Sequence, residues 1–137
     1  FFLAYLTEKP SLELCKSLIM LRDYNISGKI NVSDIPILIH ILQFWRMAFQ
    51  KLDKSHGNKT SSYNLRTLLW EAGTTVSNKV LECLVLRFSK NMVLTSECFV
   101  MAMVRLYLAH ERYHSLDTKM KSNPITLEEM ILMTIYS

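Results

Sequence analysis

The sequence predicts an all-α domain built from repeated helix–loop–helix units, and three observations predict it. Only three glycines and three prolines punctuate 137 residues, too few for a turn-rich β fold. Apolar residues recur at helical spacing over six stretches, near 11–22, 33–52, 64–72, 76–88, 95–116 and 126–136. Short polar loops separate the long helices at intervals of about 30 to 40 residues, which marks an internal repeat.

Two of these stretches are apolar on nearly every face. One contains Ile35, Ile37, Leu38, Ile39, Ile41, Leu42, Phe44, Trp45, Ala48 and Phe49; the other runs from Phe99 to Val104 and on through Leu106, Tyr107 and Leu108. A helix apolar all round needs partners all round, so both are expected at the centre. Turn-forming residues fill the breaks: Asn25 to Gly28, Lys54 to Asn58, Ala72-Gly73, Ser89 to Asn91 and Lys119 to Pro124.

The length fits one domain with a single core. Half the residues are apolar, yet no run reaches the ~18–20 residues of a membrane span. The closest, Ile35 to Phe49, is broken by Pro36, His40, Gln43 and Arg46. The chain opens at Phe1 without an initiator Met or a secretory signal, so a piece of a longer protein is expected. Cys15, Cys83 and Cys98 are widely spaced among apolar neighbours and read as reduced core thiols of a cytoplasmic protein. The net charge of +4 comes from scattered basic residues with no aromatic–basic recognition motif, which argues against nucleic acid.

One loop carries metal chemistry. Asp23, Asn25 and Ser27 place oxygens at its first, third and fifth positions, and Gly28 permits the sharp turn at the sixth. Lys29 can offer its carbonyl at the seventh, and Asn31 a direct or water-mediated contact at the ninth. Calcium takes six to eight hard oxygens, and alternating donors supply them as the backbone winds round the ion. The segment fits the EF-hand calcium loop at most positions, with Ile30 at the eighth as the apolar residue expected to bridge to a sister loop. Asp34 closes the loop where a Glu normally clamps calcium with both oxygens. One methylene shorter, and with only two carboxylates in the set, the loop predicts affinity on the order of 10⁻⁴ M or weaker, or a tilt toward magnesium. A folded relic that holds no metal is the other outcome left open.

Glu13 to Asp23, Trp70-Glu-Ala-Gly73, Met103-Val-Arg-Leu106 and Met133-Thr-Ile-Tyr-Ser137 resemble the penta-EF-hand domain that closes calpain heavy chains, and the resemblance extends from about Ser11 to the end. In that family the module is a calcium-responsive domain attached to a papain-like cysteine protease. Its unpaired fifth hand joins the fifth hand of a second chain. The resemblance implies a single domain over 1–137, with the first hand truncated or missing and the others near 14–45, 44–73, 78–108 and 107–137. It makes Asp23–Asp34 the second loop. The third would run from Asp53 through Ser55, Gly57, Asn58 and Lys59 to Asn64, with Thr60 as the bridge residue opposite Ile30. One carboxylate there makes calcium binding unexpected. The fourth, around Ser89 to Cys98, is a residue short and keeps only Glu97. The fifth, from Asp117 to about Glu128, sets Lys119 and Lys121 where oxygens belong and adds Pro124, so repulsion excludes calcium. The pattern is that of an atypical, diverged calpain.

His110-Glu-Arg-Tyr-His114 matches the helical zinc signature H-E-x-x-H. No further ligand follows in sequence, Arg112 stands where an apolar residue is usual, and the helix is already explained, so zinc catalysis is not expected. No cysteine has the local setting of a catalytic thiolate. His40 reads as a core-edge histidine and His56 as a loop residue, while the eight methionines sit mostly at core spacing.

The expected function is therefore a non-catalytic regulatory and dimerisation domain of a calpain-type, calcium-dependent cysteine protease. The last helix, with Ile125, Leu127, Met130, Ile131, Leu132, Met133 and Ile135, offers more apolar surface than one hand covers. A homodimer, or a heterodimer with another penta-EF-hand chain, through 117–137 follows from that surface. An adaptor of the same fold that binds a peptide in an apolar groove is the alternative.

Overall fold

The computed structural model describes Ser33 and residues 35–53, 57–119 and 124–136. The expected helix near 11–22 and the loop Asp23–Asp34 lie outside the described residues. Within them the chain folds as α1 (Ile35–Gln50), β1 (Lys59–Ser61), a 3-10 turn (Ser62–Asn64), α2 (Leu65–Glu71), α3 (Asn78–Phe88), β2 (Val93–Thr95), α4 (Ser96–Lys119) and α5 (Leu127–Ile135). Helix ends fall within three residues of the expected ones, and the differences arise because caps and not apolar period set them.

Those caps are local chemistry. Ser77 starts α3 by accepting a hydrogen bond from the Val80 N–H at 3.3 Å. Thr126 starts α5 with a full capping box: its hydroxyl accepts from the Glu129 N–H at 3.1 Å, and the Glu129 carboxylate accepts from the Thr126 N–H at 3.1 Å. Helix α2 ends where Gly73 turns left-handed at φ 86°. The Thr74 N–H then reaches the Leu69 carbonyl and the Gly73 N–H the Trp70 carbonyl, the paired bonds of a Schellman motif. The Glu-Ala-Gly signature is thus a helix stop.

Helix α4 is the central beam. Phe99, Val100, Ala102, Met103, Val104, Leu106, Leu108 and Ala109 are all buried, and α1, α3 and α5 pack on it from different sides. Helix α1 contributes Leu42, Trp45 and Phe49, one stripe at helical spacing, with the Phe49 ring 5.9 Å from that of Phe99. Helix α3 contributes Val80, Leu84 and Phe88, and α5 contributes Met130, Ile131 and Ile135.

Several expectations need correction. Helix α1 was expected to be buried on every side, but Ile37, Phe44 and Met47 are exposed. Among its described residues the covered face is that of Leu42, Trp45, Ala48 and Phe49. His40 is exposed and not at the core edge. Met103 and Met130 are buried, whereas Met47, Met92 and Met133 are exposed, so gap filling explains only part of the methionine content. Cys83 and Cys98 are free thiols, half-buried against the core rather than within it. The apolar surface expected to be left over on the last helix is mostly used internally. Met130, Ile131 and Ile135 are buried, Ile125, Leu127 and Leu132 pack partly against the core, and Met133 alone of the seven is exposed.

Candidate functional site

The chemistry of this fold belongs to its loops, and two of them meet. Strands β1 and β2 pair antiparallel, with Lys59 opposite Thr95, Thr60 opposite Leu94 and Ser61 opposite Val93. Two further backbone bonds close the pair, Ser62 N–H to the Met92 carbonyl at 2.9 Å and Ser96 N–H to the Asn58 carbonyl at 2.8 Å. Leu94 is fully buried beneath this bridge. Thr60 therefore faces Leu94 and not Ile30, which lies outside the described residues. The short Ala72–Ser77 connection makes the loops of neighbouring hands adjacent, so the third hand takes the fourth as its sister.

The described part of the third loop, Asp53 and residues 57–64, keeps two features of a calcium cradle. Asp53, its first residue, is 3 % exposed, and its Oδ2 accepts the Asn58 N–H at 2.7 Å. Asn58 stands at the sixth position with φ 59°, the left-handed turn that glycine usually supplies and that asparagine tolerates. At the twelfth position the Asn64 amide donates to the Thr60 hydroxyl at 2.9 Å. Asp53 and Asn64, at opposite ends of the loop, each make a hydrogen bond within it.

The fourth loop is a different object. The N–H groups of Lys90 and Val93 bond to each other's carbonyls at 3.0 and 2.9 Å, and the intervening Asn91 and Met92 have φ 53° and 63°. Left-handed backbone at both central residues is the geometry of a tight two-residue hairpin turn. From the expected first loop residue to the bridge residue there are five steps (Ser89 to Leu94) against seven in the third loop (Asp53 to Thr60). The fourth loop is therefore two residues short, not one. With Leu94 at the eighth position, Cys98 and not Glu97 occupies the closing place. Its N–H is capped by the Thr95 hydroxyl at 3.1 Å. Asn91 was the available signal for this turn; Met92, rarely left-handed, concealed it.

At the fifth hand the helix runs on through Asp117 to Lys119, where a loop was expected to begin at Asp117. Residues 120–123, including Lys121, lie outside the described residues. Past them, two bonds from Thr126 hold the Glu129 carboxyl below its usual range, the backbone N–H first and the hydroxyl second. Ser77 also donates to Glu128, tying the start of α3 to the start of α5.

The second-loop residues Asp23, Asn25, Ser27, Lys29, Asn31 and Asp34 all lie outside the described residues. Among the described residues no three His, Cys, Asp or Glu side chains come together as a metal site. His110 and His114 are both exposed on α4. No described helix is long and apolar enough to cross a membrane. A cavity of about 290 Å³ opens beside α2, lined by Arg66, Thr67, Leu69, Trp70, Thr75 and Val76, with the Trp70 indole largely exposed.

The chain is 30 % identical to calpain-A of Drosophila melanogaster over 129 residues and 31 % identical to calpain-9 of Homo sapiens over 130. Each match covers 93 % of this chain. Over most of its length the chain resembles calpain chains, as a calpain-like penta-EF-hand domain does. Peflin of Mus musculus is 28 % identical over 126 residues, 89 % of this chain. The fold resembles that of a homologue of programmed cell death 6 protein from Leishmania major Friedlin, with a TM-score of 0.60 at 22 % identity over 92 % of this chain and 72 % of that one. No family model matches. The domain spans 16 % and 19 % of the two calpain chains and 46 % of peflin.

Proposed function

We propose that this domain is the regulatory and pairing module of a calpain-type cysteine endopeptidase, in which the third and fourth hands form a calcium-silent structural lobe. Any calcium then binds weakly at the second hand through Asp23, Asn25, Ser27, Lys29, Asn31 and Asp34. The observation that supports this most directly is the paired loop lobe. It has a single carboxylate at a first position, Asp53, and its sister loop is closed by a two-residue hairpin turn. Such a lobe keeps its helices set whatever the calcium level, leaving one site to bias one pair of helices.

The domain itself has no catalytic role in this reading. The thiol protease chemistry belongs to another part of a longer cytoplasmic protein. Pairing with a second penta-EF-hand chain through 117–137 is retained on a smaller surface than the sequence implied. Met133 and Tyr136 on or beside α5 are exposed, Tyr136 lies beside Cys83 of α3, and Leu86 on α3 is exposed as well. Sedimentation equilibrium tests the pairing. A dimer is expected that Met133→Lys dissociates; a monomer at all concentrations would overturn it.

A second reading, an adaptor that serves no protease, is favoured by the cavity beside Trp70. It predicts a folded chain that captures an apolar peptide there and loses it on Trp70→Ala, with no protease core in the full-length protein.

A further inference from the structure

On the outer side of α4, His110 and His114 stand one turn apart, both exposed. Residues four apart on a helix share a face, with Cβ atoms about 5–6 Å apart. Nδ1 of His110 lies 2.8 Å from the Leu106 carbonyl oxygen one turn back. A carbonyl can only accept, so that nitrogen holds the ring proton. The lone pair of the neutral imidazole is then on Nε2, the atom farther from the backbone. Metal-binding imidazoles are oriented in this way, the non-ligating N–H given to a carbonyl or carboxylate and the other nitrogen aimed at the ion.

We propose that His110 and His114 form a two-imidazole chelate for a borderline divalent ion of the zinc, nickel and copper class on the outer face of α4. Imidazole nitrogen suits these ions, whereas calcium takes hard oxygens, so the site is independent of the loops and of their calcium chemistry. Asp117, three residues beyond His114 and exposed, adds a carboxylate to the same side of the helix. Arg112 projects about 200° round the helix from His110 and does not face the pair. Among the described residues no third side chain converges with the two rings, so the site binds an ion with its other positions open to solvent. That separates it from a hydrolytic centre, which holds its ion by three protein ligands.

Calorimetric titration of the chain with zinc chloride, calcium saturating and thiols blocked, tests this. One zinc ion is expected to bind, with affinity reduced at least about ten-fold by His110→Gln or His114→Gln and unchanged by Arg112→Gln. Both rings are exposed, so circular dichroism of the variants should match the parent. A readout on the unaltered chain guards against a variant that fails to fold: zinc should shift the ring-proton resonances of two of the four histidines. Binding that survives both substitutions, no binding by the parent chain, or histidine signals that do not move would each overturn the proposal.

Discussion

Replacing Asp53 by Ala separates a structural carboxylate from a metal ligand. Asp53 is almost fully buried and accepts the Asn58 N–H at 2.7 Å, holding a left-handed asparagine in place at the tightest point of the third loop. A hydrogen bond to a charged group contributes roughly 1.5–3 kcal/mol. Asp53→Ala should therefore cost about 2 kcal/mol in EDTA, with no calcium present. With a urea slope of about 2 kcal/mol/M, the unfolding midpoint should fall by about 1 M. Asp53→Asn keeps an acceptor and should lose less. If Asp53→Ala matches the parent in EDTA and differs only when calcium is added, the carboxylate is a ligand and the silent-lobe reasoning fails.

Other perturbations probe the same framework. Leu94→Ala removes the fully buried residue beneath the bridge and should destabilise the chain by about 3 kcal/mol, read by urea unfolding. Gly73→Ala should cost about 1 kcal/mol, all of it backbone strain at φ 86°, since nothing lies within 4 Å of the added methyl; Gly73→Asn should cost less. The Glu129 carboxyl is held below its usual range, so its contribution is present above the unfolded-state value and is lost as pH falls through the folded one. The stability gap between the parent and Glu129→Gln, measured by urea unfolding at pH 7 and again at pH 3, should shrink at the lower pH.

Much of the helical architecture was legible because long apolar runs with period 3.6 admit few readings, and the stretch of α4 from Phe99 to Ala109 in particular is buried or half-buried at every position, as its sequence requires. Asn58 was legible at its turn for a steric reason, since asparagine tolerates a left-handed backbone. What escaped was pairing and occupancy. Thr60 has the same spacing to its loop ends whether it faces Ile30 or Leu94, and only the short 72–77 connection decides between them. Met92 gives no compositional sign of a hairpin turn, so the fourth loop reads as a shortened cradle. The seven apolar residues of the last helix point outward or inward according to how α3 and α4 converge on it, which periodicity alone does not report.

Calorimetric calcium titration of Asp23→Ala is the most direct measurement. With the second hand disabled, no heat of calcium binding should remain up to several millimolar, because the third loop has a single carboxylate at its ligand positions and the fourth is a hairpin turn. Residual binding that disappears on adding Asp53→Ala would show a live third hand and contradict the calcium-silent lobe.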